Sequence, residues 1–190
     1  MRKAQPSTPS VHPSLDTTRA AAKHYLGDLV YGANDGLITT FAVVAGVAGA
    51  KLPEPIVLIL GLANLLADGF SMGASNFLSL RSRASLERGE QRPVTEPFPA
   101  RHGLATFLAF VAAGVIPLVA YVAANGADAF LISTITTLAV LFTVGASRSL
   151  VTGGRWWVEG LEMFAVGAAA AGVAFIVGRI LATVTSQSGL

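Results

Sequence analysis

Residues 103–127, GLATFLAFVAAGVIPLVAYVAANGA, and residues 129–147, AFLISTITTLAVLFTVGAS, carry no charged side chain and are parted by the single acid Asp128. Each run is close to the roughly 20 residues an α-helix needs to cross the hydrocarbon of a bilayer. On either side the chain repeats the pattern, so five apolar stretches emerge: about 26–50, 54–80, 102–124, 127–149 and 157–183. These predict an all-α integral membrane protein of five transmembrane helices, with its termini on opposite sides.

The composition agrees. Of 190 residues, 53 % are apolar and only 13 % charged, where soluble domains average about 25 % charged. A mean hydropathy of +0.62 leaves too little polar material to cover a water-facing surface. Disorder, coiled coil and nucleic-acid binding are poor readings of such a chain. The net charge is only +2, and the basic residues behind a pI near 9.3 sit in short clusters between apolar runs, which is a topology signal first. Without cysteine there is no disulfide framework, thiolate metal site or thiol nucleophile. Any metal must bind through carboxylate, amide, hydroxyl, thioether or imidazole.

Loop charges set the orientation. Eleven cations, namely Arg2, Lys3, Arg19, Lys23, Arg81, Arg83, Arg88, Arg92, Arg101, Arg148 and Arg155, fall on one side, against Lys51 and Arg179 on the other. The positive-inside rule then puts the N-terminus in the cytoplasm and the C-terminus outside it. Residues 1–23, rich in Pro, Ser and Thr over most of their length and without the apolar core of a cleaved signal, read as a mobile cytoplasmic tail. Residues 81–101 read as an Arg-rich cytoplasmic linker that anchors topology near anionic headgroups. Glu87, four residues after Arg83, lets the second helix continue a turn or two into the cytoplasm, before Pro93, Pro97 and Pro99 end it. Pro117 in the third span kinks that helix at little cost where a neighbour satisfies the freed carbonyl.

Chemistry concentrates where lipid penalises it. Asp35, Asp68 and Glu162 lie inside predicted spans, where an ionised carboxylate at the helix centre costs about 2.5–3.5 kcal/mol and normally faces a bundle interior or a water-filled path. The bland alternative is that each acid is hydrogen-bonded and merely joins helices, or lies near an interface, as Trp156 and Trp157 suggest for Glu162. In the second span Asn64, Asp68, Met72, Ser75, Asn76 and Ser79 recur at offsets 0, 4, 8, 11, 12 and 15, one face of a helix. Carboxylate and amide oxygens beside a thioether suit a divalent transition metal better than Na⁺ or a sugar. Asp35, Met72, Asp68 and Asn64 are therefore the candidate ion path, with Thr39, Ser75, Asn76 and Glu162 as secondary candidates. Two G-x-x-x-G pairs, Gly32 with Gly36 and Gly69 with Gly73, permit close helix contact within a chain or across a dimer.

The run 35–50, DGLITTFAVVAGVAGA, followed by 67–73, ADGFSMG, and 160–163, GLEM, resembles the vacuolar iron transporter family, and looks most like its shorter nodulin-like and bacterial members. The resemblance spans residues 24–183. It implies a five-helix homodimer with the ion path between protomers, exporting Fe²⁺, often Mn²⁺ too, from the cytoplasm in exchange for protons. No permanently bound cofactor is implied; metal ion, protons and bilayer are the partners. Asp35 matches the family's first-helix acid and Met72 its second-helix methionine. A bacterial inner membrane is favoured as host, with a vacuolar membrane the alternative.

Two departures stand out. Asn64 replaces a Glu found in well-studied members and cannot exchange a proton, so Asp68, one turn on, is the residue left to substitute. Those members also insert a long Glu-rich metal-collecting domain after the second span. Here the connection has only Glu87, Glu90 and Glu96 as acids, so capture of metal is expected to be weaker or to rely on another protein. The competing reading is a non-transporting membrane module that binds a partner through its small-residue helix faces. An enzyme is not expected, because His12, His24 and His102 lie in the tail or at span edges and form no apparent catalytic set.

Overall fold

The computed structural model describes residues 18–124 and 128–188, without the side chains of 18–23, 151–152 and 188. The first seventeen residues of the expected tail lie outside this range. Five helices follow in order: α1 (Thr18–Gly49), α2 (Glu54–Gly89), α3 (Pro99–Ala124), α4 (Ala129–Thr152) and α5 (Trp156–Ser188). All five are long and apolar enough to cross a membrane, and there is no strand among the described residues.

The ends of the helices follow local chemistry. α2 has 36 residues, about 54 Å at 1.5 Å per residue, far more than a 30 Å hydrocarbon layer requires. Its last turns, from Arg81 onward, are the charged ones and project beyond the apolar part. Two helices close with the same device. Lys51 and Gln91 adopt left-handed conformations, with φ of 54° and 57°. After α1 the Leu52 N–H bonds to the Val47 carbonyl (3.2 Å) and the Lys51 N–H to Ala48 (3.1 Å). After α2 the Arg92 N–H bonds to Glu87 (2.8 Å) and the Gln91 N–H to Arg88 (3.1 Å). This paired pattern satisfies carbonyls that a helix end would leave open. Pro117 sits inside a continuous α3, and the Ser133 hydroxyl of α4 donates to the Pro117 carbonyl at 2.8 Å.

α1 is the central helix. It packs against all four others, most extensively α3 and α5, whereas α2 touches only α1 and α3. The core gathers around Leu37, Phe41, Val44 and Ala45 of α1, with Phe110 of α3 and Leu141 of α4, all essentially inaccessible. Glycine makes the tightest crossings possible. A Cβ on Gly36 would collide with the Phe110 backbone carbonyl, one on Gly32 with that of Thr106, and one on Gly73 would come within 2.7 Å of the Gly103 carbonyl. Both G-x-x-x-G pairs are therefore spent inside the chain, against α3.

Candidate functional site

The two inner carboxylates sit on neighbouring helices, α1 and α2. Asp35 and Asp68 are both half-buried and lie within electrostatic reach of one another. Met72, one turn from Asp68, is half-buried and packs on the cluster that contains Leu65 and Phe110. Asn64 is half-buried one turn to the other side. At 1.5 Å per residue these α2 donors are spaced about 6 Å apart, so they form a ladder along a seam rather than one closed cage. Ser75 and Ser79 are exposed on the part of α2 that α1 and α3 leave open. The Thr39 hydroxyl donates to the Asp35 carbonyl of its own helix at 2.8 Å. Glu162 is exposed on α5.

Asn76 belongs to a second group, at the end of the bundle where α1 begins. Its amide donates to Asp28 Oδ1 and to Thr106 Oγ1, each at 2.7 Å. The Thr106 hydroxyl donates in turn to the His102 carbonyl at 3.0 Å. Asp28 Oδ2 lies 2.5 Å from His102 Nδ1, and the other ring nitrogen, Nε2, lies 3.0 Å from Glu96 Oε2. His24 Nε2 approaches the same Glu96 oxygen at 3.3 Å. The rings of His24, Tyr25 and His102 stack edge-on or tilted, with centroids 4.7 to 5.0 Å apart.

A strap holds Glu96 in this position. The Glu87 carboxylate accepts the Thr95 N–H at 2.8 Å and the Thr95 hydroxyl at 2.7 Å. These bonds hold the Glu87 carboxyl, beyond the membrane, below the ordinary glutamate range, with Arg83 adding a smaller effect. The residue after Thr95 is Glu96, so fixing one aims the other.

Asp28 and the convergence of His24, Glu96 and His102 were not legible as a site from residue spacing. The first has a helical signal, since Asp28 and Asp35 are seven residues apart and share a face of α1. The second has none. Two histidines read as lying at span edges prove to be neighbours because α1 packs along α3, and the α2–α3 connection adds Glu96 to them.

The two glycine pairs, both buried against α3, are closed to an outside partner, so the partner-binding alternative loses these faces.

Comparison with known proteins accords with this architecture. The model of the VIT family matches residues 26–97 and 89–179. The chain is 28 % identical to a vacuolar iron transporter of Toxoplasma gondii, over 86 % of this chain and 76 % of that one. It is 27 % identical to vacuolar iron transporter 2 of Oryza sativa, over 78 % of this chain and 84 % of the relative. Over 53 % of both chains it is 34 % identical to vacuolar iron transporter homolog 5 of the same plant. These relatives are named as transporters, not enzymes. With five membrane-length helices and a family match along nearly all of them, the chain belongs to the VIT family.

Proposed function

We propose that the protein carries a divalent metal ion, Fe²⁺ or Mn²⁺, out of the cytoplasm across its membrane, with Asp35 and Met72 as principal ligands and Asp68 and Asn64 assisting. What supports this reading is that Asp35 of α1 and Asp68 of α2, both half-buried, lie close enough to interact electrostatically, with half-buried Met72 one turn along α2 from Asp68. The names of the relatives support iron as cargo. Two like charges side by side are relieved by a bound dication or by protons, so metal and protons compete for one pair. That competition is the basis of antiport: protons arriving from the far side replace the departing metal. Asn64 takes no part in it.

A homodimer completes the path. On its donor side α2 is left uncovered by its own chain, where Leu60 and Leu78 are 47 and 55 % exposed and Ser75 and Ser79 are exposed on the same side as half-buried Asp68. A second copy against this face takes those polar groups away from acyl tails. Purified protein in liposomes that enclose an iron-sensitive dye should report Fe²⁺ entry, faster with an opposing proton gradient. Asp35→Ala or Met72→Ala should bring it to the protein-free level; wild-type rates in both variants overturn the assignment.

A further inference from the structure

We propose that His24, His102 and Glu96 form a divalent transition-metal site at the end of the bundle where α1 begins, oriented by Asp28, and that this site collects the ion for the seam. Binding stands on the geometry of these side chains. The collecting role rests on the transport reading above.

The argument starts from one ring. Asp28 is an acceptor, so His102 Nδ1 donates to it, and Nε2 is left to face Glu96 Oε2 at 3.0 Å. His24 presents its own Nε2 to the same oxygen at 3.3 Å. In the neutral ring, the bare lone pair of Nε2 thus points at a carboxylate oxygen. A cation placed between them turns that opposition into ligation. The ligand atoms of His24, Glu96 and His102 all lie within 4.8 Å of one another. Two donors bound tetrahedrally to one ion at about 2.1 Å are about 3.4 Å apart, so the two short separations already fit.

The surroundings are those of a metal centre. A ligating histidine usually donates its second N–H to a carboxylate, which fixes tautomer and ring orientation. Asp28 does this for His102, and the Asn76 amide holds Asp28 in turn. Two imidazoles and one carboxylate with the remaining positions open are the donor set of Fe²⁺ sites, and imidazole also suits Zn²⁺, Co²⁺ and Ni²⁺. His102 is 7 % exposed and His24 is 31 % exposed, so the site is built on a buried wall and open on one side. An ion can arrive from water on the open side. Asn76 is one turn from Met72, and Asp28 two turns from Asp35, about 6 and 10 Å along their helices.

The test uses full-length protein in detergent micelles and Co²⁺ as probe, read by its visible ligand-field absorption. Wild type should bind with imidazole-type bands. His24→Ala and Glu96→Gln, both at accessible positions that leave the bundle intact, should weaken binding about tenfold or more, whereas Asp35→Asn should keep the bands of the His24–Glu96–His102 site, the mouth of the seam. Absent bands in wild type, or unchanged affinity and spectrum in both mouth variants, overturn the site and leave the histidines as a hydrogen-bonded clamp only. The collecting role is read separately in liposomes. His24→Ala should raise the Fe²⁺ concentration for half-maximal flux while the maximal rate stays. Unchanged flux at every concentration overturns collection, and a flux-dead wild type with intact bands overturns the transport reading alone.

Discussion

The seam and the mouth use similar donors but are assembled in opposite ways. The seam draws three of its four principal residues, Asn64, Asp68 and Met72, from one face of α2 and takes only Asp35 from another helix. The mouth draws His24 and Asp28 from α1, Glu96 from a nine-residue loop and His102 from α3. A helix enforces the seam's spacing whatever else happens, while the mouth exists only when α1, α3 and the loop are all docked. Periodic sites therefore survive local disturbance and lose function only through their ligands. Convergent sites are vulnerable through their supports as well.

The largest expected effect tests whether the two regions are separable. Asp35→Ala should abolish Fe²⁺ flux and leave Co²⁺ binding at the mouth within about twofold of wild type. His24→Ala should reverse the pattern, with binding lost and maximal flux kept. A variant at one region that removes both readouts would show that the two are a single site.

Gly36→Ala comes next and attacks the frame they share. The added methyl meets the Phe110 backbone carbonyl, which no side-chain rotation can move. Forced overpacking costs about 1–3 kcal/mol, and the protein should melt several degrees lower in detergent. Gly27→Ala, where nothing lies within 4 Å of the new atom, should instead hold or slightly raise the melting point, since alanine favours the helix where there is room. Since α1 and α3 carry His24, Asp28 and His102, the mouth should weaken in Gly36→Ala while the spacing along α2 persists.

This difference also explains how much could be read before the fold was known. Five spans followed from runs such as 129–147, because apolar length is a local property. The donor face of α2 followed from a repeat near 3.6. The G-x-x-x-G pairs were visible, but their partner was not: only the crossing shows that Gly32 and Gly36 meet Thr106 and Phe110 rather than a second chain. Asp28 had a weak periodic trace. His24 and His102 had none, since 78 residues separate them and their meeting depends on how α1 crosses α3, while the path of the 90–98 loop decides where Glu96 falls.

Thr95→Ala sharpens the comparison with a smaller effect. It removes the hydroxyl bond to Glu87 and keeps the backbone one, so the strap is loosened but not cut. Glu96 becomes less well aimed, so Co²⁺ affinity should fall about fivefold with the seam untouched. Acid should mimic this. The Glu87 carboxyl lies below its ordinary value of 4.5 when folded. Its stabilising effect is thus complete above the ordinary glutamate range and is lost as pH falls through the lower folded value. Protection of the 90–98 amides against hydrogen exchange, taken relative to the intrinsic rate at each pH, should fall in that window in wild type and change less with pH in Glu87→Gln.

Gln91→Gly has the smallest effect and bears on the support alone. Gln91 holds a left-handed conformation at φ 57°, which a side chain disfavours by about 1–2 kcal/mol. Glycine removes that penalty but gives the unfolded chain more freedom, which offsets part of the gain. A net stabilisation of about 0.5–1 kcal/mol should remain, seen as a slightly higher melting temperature. Lys51→Gly, in the same conformation after α1, should gain as much in stability. If Co²⁺ affinity rises in Gln91→Gly and stays constant in Lys51→Gly, the turn after α2 acts on the mouth through the loop it launches. Equal behaviour of the two variants would assign the aiming of Glu96 to the Glu87–Thr95 strap alone.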